Sequence, residues 1–488
     1  MLRIFGGLFL IPLVFELSYA QTITSEEFLQ LVELSHPFFA KEALSPQIEG
    51  KGREGFLGAQ DWTIRSSSFL AHQKPISTGA FFPTRINSVG LGAAVGRAFW
   101  NTGGRLSLSW SYDFTDQSLP DIVVPLSSET VVISAGPAQL YRHGVFLAYS
   151  QPLLQNYGGR LDRLDYELGG YTIGLTELRA LENQEGFLLE LGVRFLDWVL
   201  LTEQTRIANE RLRLAEEELE QSKRKRAANL VDRVDVLRAE DAVRIAKQNV
   251  VLIESQWRAK QAELAVLAQS DELYDRSPEF DLYSLESLPP TDEAVLRLEE
   301  RSRLLQALGL RREQLSHLRG GFVETSRPQL FLGVSAGLQS GEPEFGGSMV
   351  LDKPDVSVSL EYRYPLGNRT ARAGIEKTAL QLRQVEEESK DVSLDLQAGV
   401  RSVRIQIQHL ESVLALNREQ IESAKEKTEE ELRLYNQGRG ELTFVIQSRD
   451  NEENAKLTYA QNATGYHKLV LQYRALTDEL LPSSRRDR

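Results

Sequence analysis

Residues 106–114 alternate strictly: Leu106, Leu108, Trp110, Tyr112 and Phe114 fall on one side, Ser107, Ser109, Ser111 and Asp113 on the other. The pattern returns at 356–364, where Val356, Val358, Leu360, Tyr362 and Tyr364 interleave with Ser357, Ser359, Glu361 and Arg363. It appears again at 330–338, with Leu330, Leu332, Val334, Ala336 and Leu338 against Phe331, Gly333, Ser335 and Gly337. Weaker runs lie at 62–66, 89–95 and 145–151. Successive side chains of a strand point to opposite faces, so each run predicts a strand with one apolar and one polar face. Two settings suit such strands. In a soluble sandwich the apolar face is the core; in an outer-membrane barrel it meets lipid, while the small polar face lines a wet lumen.

The other segments have a helical period. From 371 to 436 there is no proline and only two glycines, Gly374 and Gly399, and apolar or small residues recur at 392, 396, 399, 403, 407, 410 and 414, then at 421, 424, 428, 432 and 435. That 3-and-4 spacing marks a helix seam packed on other helices. A helix of about 65 residues at 1.5 Å rise is roughly 100 Å long. A similar stretch runs over 161–226, and shorter ones follow at 234–269 and 442–480. Helices of this length predict a coiled coil, bundle or tube rather than a compact globule.

The chain also repeats. Tyr149-Ser150-Gln151-Pro152-Leu153-Leu154, followed by Arg160 and Arg163, is echoed by Arg363-Tyr364-Pro365-Leu366-Gly367 with Arg369 and Arg372. Gly192-Val193-Arg194 returns as Gly399-Val400-Arg401, and Asn229…Val236-Leu237 as Gly438…Val445-Ile446. A repeat of that size predicts two similar halves, each with strands and a helical hairpin. The expected boundaries are 21–275 and 276–482, with a disordered tail at 483–488.

The N-terminus adds a compartment. Met1-Leu2-Arg3, an apolar run over 4–15 and Ser18-Tyr19-Ala20 before Gln21 have the form of a secretory signal peptide over 1–20. The run is too short for a membrane anchor and is interrupted at Pro12 and Glu16. The chain has no cysteine, so disulfides, thiolate metal sites and a lipidated N-terminal cysteine are excluded. Export and the missing cysteines favour the barrel setting of the strands. Acidic residues outnumber basic ones, 69 to 56, which argues against a nucleic-acid partner.

Catalytic signals are weak. The histidines (His36, His72, His143, His317, His409, His467) never pair at helical metal-ligand spacing. Gly50-Lys51-Gly52-Arg53-Glu54-Gly55 spells a dinucleotide fingerprint but follows no strand. No Walker A motif and no nucleophile elbow occur. The sequence therefore points away from an enzyme and calls for no cofactor and no metal.

At this point the residues carry a family resemblance. Over nearly its whole length the chain resembles the TolC-type outer-membrane efflux proteins. Ser35-His36-Pro37-Phe38 stands where that family has an Asn-Pro pair in its first helix. Pro365-Leu366-Gly367-Asn368-Arg369-Thr370-Ala371-Arg372 matches the family's exit from its last barrel strand, and Gln151-Pro152-Leu153-Leu154 the same point in the first half. Ser326-Arg327-Pro328-Gln329-Leu330 matches the entry to the third strand, and Asp235-Val236-Leu237-Arg238-Ala239 the helix past the first hairpin tip. The resemblance implies a mixed α and β fold: a homotrimer pooling its strands into one outer-membrane β-barrel, continued by a periplasmic α-helical barrel. It implies an exit duct of a tripartite efflux or type I secretion system. The duct would conduct substrates passively, with a periplasmic adaptor protein, an inner-membrane transporter and outer-membrane lipid as partners. Pro152 and Pro365 then mark strand-to-helix junctions, because proline removes a ladder donor and fits a helix first turn. The first half holds more strand-like sequence than the family's usual pair: the runs at 89–95 and 106–114 flank Asn101-Thr102-Gly103-Gly104. Either the barrel has extra strands or this hairpin extends elsewhere.

The resemblance also places the functional residues. Asn229 and Gly438 fall at the two hairpin tips, which in the family meet the adaptor. Lys223, Arg224, Lys225, Arg226 and Leu230 lie beside the first tip as candidate adaptor contacts, although cations are common at a helix C-terminus in any case. A family tyrosine–aspartate lock at the periplasmic end maps onto Tyr435 and Asp235. Where the family often carries two aspartates after the second tip, this chain has Phe444 and Gln447, and Gly440 replaces an arginine. These departures predict an apolar constriction less sensitive to divalent cations. The competing reading is a non-channel periplasmic coiled-coil scaffold, which accounts for the helices but not for the alternating strands or the duplicated prolines.

Overall fold

The structure, a computed structural model, describes residues 21–76, 82–125, 130–133 and 138–481. The expected signal peptide and C-terminal tail lie outside the described residues. The chain begins with β1 (Gln21–Thr24) and α1 (Ser25–Ser35), whose N-cap Thr24 and Glu27 form a reciprocal capping box. His36 is extended at φ −77° and ψ 127°, because the residue before a proline is pushed out of the helical region. Pro37 then opens α2 (Pro37–Gly55), so the glycine fingerprint at 50–55 lies inside a helix and forms no phosphate loop.

Strands β2 (Thr63–Gln73), β3 (Arg85–Phe99) and β4 (Gly104–Ser118) follow, then a small hairpin of β5 (Ile122–Pro125) and β6 (Thr130–Ile133), then β7 (Ala138–Pro152). The first long helical hairpin is α3 (Leu164–Ala227) and α4 (Arg233–Ala268). After β8 (Arg276–Glu279), α5 (Thr291–Arg301) and α6 (Arg303–Thr325), the chain returns to strand in β9 (Gln329–Glu342) and β10 (Lys353–Arg363), separated by the single turn α7 (Phe345–Ser348). It ends in a second hairpin, α8 (Arg369–Asn436) and α9 (Leu442–Leu476).

Two compact units divide the described chain. One comprises Ser45–Glu177 and Ala307–Ser389. Its centre is a six-stranded antiparallel sheet in the order β10-β9-β7-β4-β3-β2. The additional strands of the first half join this sheet, with β3 and β4 linked by a tight turn in which Gly103, at φ +73°, donates its N–H to the Phe99 carbonyl at 2.8 Å. Register keeps the alternation in phase across all six strands. One row of paired residues runs Val356, Ala336, Leu147, Leu108, Val95, Ile64. The neighbouring polar row runs Ser357, Ser335, Ala148, Ser107, Gly96, Thr63.

Pro152 is the last residue of β7, and Pro365 lies just beyond β10. Neither opens a helix, as a first-turn role would require: α3 starts at Leu164 and α8 at Arg369. Between proline and helix the chain turns through left-handed residues, Asn156, Gly158 and Gly159 after the first proline and Gly367 and Asn368 after the second. The prolines end strands; these turns re-aim the chain.

The other unit comprises the chain through Leu44, Leu178–Gln306 and the stretch from Lys390 on. Strands β1 and β8 pair in parallel, and around them Ile23, Phe28, Leu191, Phe195, Trp198, Leu264, Tyr466 and Tyr473 are fully buried. The buried Gln261 donates to the carbonyls of Leu273, Tyr274 and Arg276 at 2.9, 3.1 and 2.9 Å, holding the chain after α4 against it. On α8 the predicted seam is buried at Val403, Ile407, Leu414, Thr428 and Tyr435.

Candidate functional site

Two surfaces stand out, one in each unit. In the sheet unit the apolar row and its neighbours are uncovered. Leu108, Trp110, Leu147, Val334, Leu338, Val356, Val358, Leu360, Tyr362, Ile64 and Leu70 are all exposed large hydrophobics, and Val358 and Leu360 keep 70% and 66% of their area. They share one face of one sheet, a contiguous apolar surface far beyond the scattered hydrophobics of an ordinary soluble surface. The opposite face is small and polar, with Ser107, Ser109, Ser111, Ser335, Ser357 and Ser359 among its residues. Two of its aromatic rings lie close over glycine, Phe69 over Gly90 and Phe146 over Gly337. A Cβ on Gly90 would stand 2.0 Å from the Phe69 ring, so that glycine is needed for the close approach.

In the helical unit the two hairpin tips are built alike. At the first, the N–H of Leu230 donates to the Lys225 carbonyl at 2.8 Å and that of Asn229 to Arg226 at 3.0 Å. At the second, Arg439 donates to Leu434 at 3.0 Å and Gly438 to Tyr435 at 3.2 Å. This double bond pattern closes a helix end through one left-handed residue. Asn229 and Gly438 supply it, at φ 56° and 73°. Leu230 is 72% exposed at the first tip, and Phe444 and Gln447 are exposed on the first turns of α9.

Beneath the tips, Tyr435 is buried with Ala239, Leu442 and Val445. Its hydroxyl lies 3.4 Å from Ser222 Oγ, and burial pushes the phenol above its ordinary pKa. Asp235 accepts from Arg238 at 3.2 Å, so within one chain Tyr435 bonds Ser222 and Asp235 bonds Arg238. The basic run divides. Lys223 pairs with Glu220 at 3.0 Å, Arg224 is exposed, and Arg226 donates to the Val231 carbonyl at 3.3 Å. Lys225 turns inward: its ammonium sits 3.4 Å from the centroid of the Tyr435 ring and donates to the Tyr435 carbonyl at 2.9 Å. It thereby adds a second donor to a carbonyl at the end of α8 that the Gly438 N–H already engages, and burial lowers its pKa. Lys225→Met is expected to speed amide exchange over 435–440 by about tenfold, the loss of one partly desolvated cation–π contact. Hydrogen-exchange mass spectrometry reads this directly, and unchanged protection would mean that Lys225 does not hold the tip.

Two buried charge clusters in the helical unit went unread in the sequence. Arg211 and Glu218, seven residues apart on one face of α3, are both almost fully buried. Arg211 reaches Asp450 at 2.9 Å, and Arg449 reaches Glu218 at 3.4 Å. A groove of about 590 Å³ opens beside Arg211, with Arg238, Asp241, Asn249 and Glu453 on its walls. In the second cluster Arg303 meets Glu182 at 3.3 Å, Asp478 at 2.9 Å and Glu185. Burial raises the pKa of both Glu182 and Asp478. The three carboxylates lie close enough together to suggest a metal site, but the Arg303 guanidinium already occupies the position between them. The one sequence signal for both clusters is charge at positions where a helix seam calls for apolar residues.

No protein-family model and no curated protein matches the sequence. Solved structures do. The outer-membrane channel OprN is 12% identical, with 93% of this chain and 89% of that chain covered, at a TM-score of 0.65. The outer membrane protein VceC of Vibrio cholerae is 10% identical, covering 93% and 96%, at 0.63. The CmeC outer membrane channel of Campylobacter jejuni is 11% identical, covering 94% and 86%, at 0.63. The fold of this chain is that of the outer-membrane channel proteins, the TolC-type fold that the motifs resemble. The likeness runs over nearly the full length of each protein and covers both the sheet and the helical hairpins.

Proposed function

We propose that this chain is an outer-membrane channel subunit, extending into the periplasm and conducting substrates outward without chemistry on them. The observation that carries the reading is the sheet with one uncovered apolar face and one small polar face. Lipid satisfies the first and water the second. A periplasmic scaffold would leave the apolar face exposed to solvent, so that alternative has no use for it. An open sheet in lipid leaves unsatisfied edges, and closure from several copies, a homotrimer, removes them. We read the two halves, 21–275 and 276–482, as a tandem repeat, each half contributing strands to the barrel and a hairpin to the helical tube. The hairpin tips at Asn229, Leu230 and Gly438, with the outward cations Lys223, Arg224 and Arg226, are the docking surface for a periplasmic adaptor. An inner-membrane transporter supplies the energy.

Gating follows from the same tips. Asp235 of one copy and Tyr435 of a neighbour form the closing lock, a phenol donating to a carboxylate, and Phe444 with Gln447 narrows the pore. The purified protein in planar bilayers is expected to give discrete pores; a protein that leaves the bilayer silent overturns the channel reading. In that assay Tyr435→Phe with Asp235→Ala is expected to raise single-channel conductance with the oligomer intact in detergent. Parental conductance would assign closure to other residues.

A further inference from the structure

Strand alternation and register place the charged side chains of the six-stranded sheet on one face or the other. On the polar face those of the described residues fall into two bands. One band lies at the helix side. Arg65 stands two residues from the end of β2 at Thr63, Arg105 is next to the end of β4 at Gly104, and Glu361 and Arg363 close β10. The other band, Asp113, Arg142, Lys353 and Asp355, lies eight to ten residues from the helix-side ends of its strands. Between the bands the polar face is uncharged, with Ser107, Ser109, Ser335, Ser357 and Ser359 among its residues.

The two bands differ in sum. In the far band Asp113 stands directly opposite Arg142, and Lys353 and Asp355 share β10, so the charges cancel. Lys353 also reaches Glu342 at 3.2 Å, which makes the far end no more positive. The helix-side band sets three arginines against one carboxylate, and Glu361 is bonded to Arg363 at 2.8 Å. Arg105 lies on an interior strand, directly opposite Ala98 on β3 and Ser150 on β7, so no carboxylate faces it there. Arg65 stands opposite Ala94. The band therefore carries two net positive charges in each copy, a count that pairing of the sheet edges with further copies leaves unchanged. Like charges gathered on one face repel, so the fold gains nothing from them.

Resting on the channel reading above, we propose that Arg65 and Arg105 are specificity-determining residues of the pore, and that its substrates are solutes of net negative charge: carboxylates, sulfonates or phosphates. Both arginines are exposed. The polar face of β3 beside them offers only small residues, Ala94, Gly96 and Ala98, so nothing on that strand screens the guanidinium groups from the water they face. A wall with water on one side and lipid on the other focuses the field of such charges into the water. Rings of arginine or lysine are the device by which pores admit anions, and the guanidinium fork matches carboxylate and phosphate oxygens. A fourth arginine at the same level shows the contrast. Arg97 stands two residues from the helix-side end of β3 on the apolar face, its guanidinium 5.8 Å from the ring centroids of both Trp62 and Phe99. Its charge is held against aromatic rings on the lipid side, outside the path of a solute.

The test is the reversal potential of the full chain in planar bilayers under a potassium chloride gradient, which gives the chloride-to-potassium permeability ratio. The parent is expected to favour chloride. A unit charge acting across about 8 Å of water changes the local population of a monovalent ion about twofold. Arg65→Gln and Arg105→Gln, made singly and together, are therefore expected to lower the ratio, the pair by at least about twofold. Arg65→Lys with Arg105→Lys keeps the charge and is expected to keep the parental ratio. Arg97→Gln removes the same charge at the same level from the other face and is expected to leave the ratio unchanged. A parent pore that prefers potassium overturns the proposal, and so do glutamine variants that conduct with the parental ratio; both leave the channel reading standing. A fall in Arg97→Gln as large as in the pair overturns the assignment of selectivity to the polar face. An unsubstituted protein that forms no pore overturns the channel reading and this inference with it.

Discussion

Arg303→Met is expected to destabilise the helical unit by about 3–5 kcal/mol, the cost of leaving buried charge uncompensated. Arg303 is the only cation within salt-bridge reach of Glu185 and Asp478 among the described residues, and it also holds Glu182. The loss is expected to depend on pH. Burial already raises Glu182 and Asp478 above their ordinary values of 4.5 and 3.8, and Arg303 works against that rise. A carboxyl with a raised folded-state pKa favours the fold most below its unfolded pKa, and that contribution is lost as pH rises through the folded value. Removing Arg303 raises both values further. The deficit of the variant is therefore largest near neutrality and shrinks on acidification into the carboxylate range. Thermal melts of parent and variant at about pH 7.5 and about pH 5 measure it, since linkage makes the difference follow proton uptake. A deficit that stays constant would mean that the carboxylates do not titrate together with folding.

The second large effect concerns the sheet face. Leu108→Arg puts a guanidinium on the apolar face of an interior strand, whereas Ser109→Arg puts the same group on the polar face of the same strand. A cation facing lipid costs about 2–4 kcal/mol near the bilayer midplane, while a lumen substitution mainly tunes selectivity. Leu108→Arg is expected to deplete folded protein from the outer-membrane fraction. Ser109→Arg is expected to assemble normally and shift the pore toward anions. Equal assembly of the two variants would show that the two faces do not separate lipid from water.

Much of this was legible in the chain. Strict alternation located β4, β9 and β10, and uninterrupted 3-and-4 spacing located the four long helices to within a few residues. β2 was read only at its start, because Ser66 and Ser68 sit on its apolar face and break the alternation there. The β5–β6 hairpin and the short pair of β1 with β8 carry too few residues for a period to register. The tips were readable because backbone geometry selects Asn and Gly there. The inward turn of Lys225 was not: in the sequence it is one of four adjacent cations, and only the packing of α8 beside it distinguishes it. Arg211, Glu218 and the carboxylates around Arg303 were hidden for the converse reason. Their partners come from helices distant in sequence, and in one dimension a buried charge looks like a solvated one.

The turn between β3 and β4 lies on the helix side of the sheet: the Thr102 carbonyl accepts from Gln151 Nε2 at 2.7 Å and that of Trp100 from Arg163 at 3.2 Å. The chain thus leaves the helix side along β2, returns along β3, leaves again along β4 and returns along β7. A sheet whose chain must start and finish beside its helices can lengthen only by a whole out-and-back excursion, since one added strand would leave the next helix at the far end of the sheet. Width in such a sheet is therefore inherited in steps of two strands. Each step keeps the same junction chemistry at the helix side while the sheet widens.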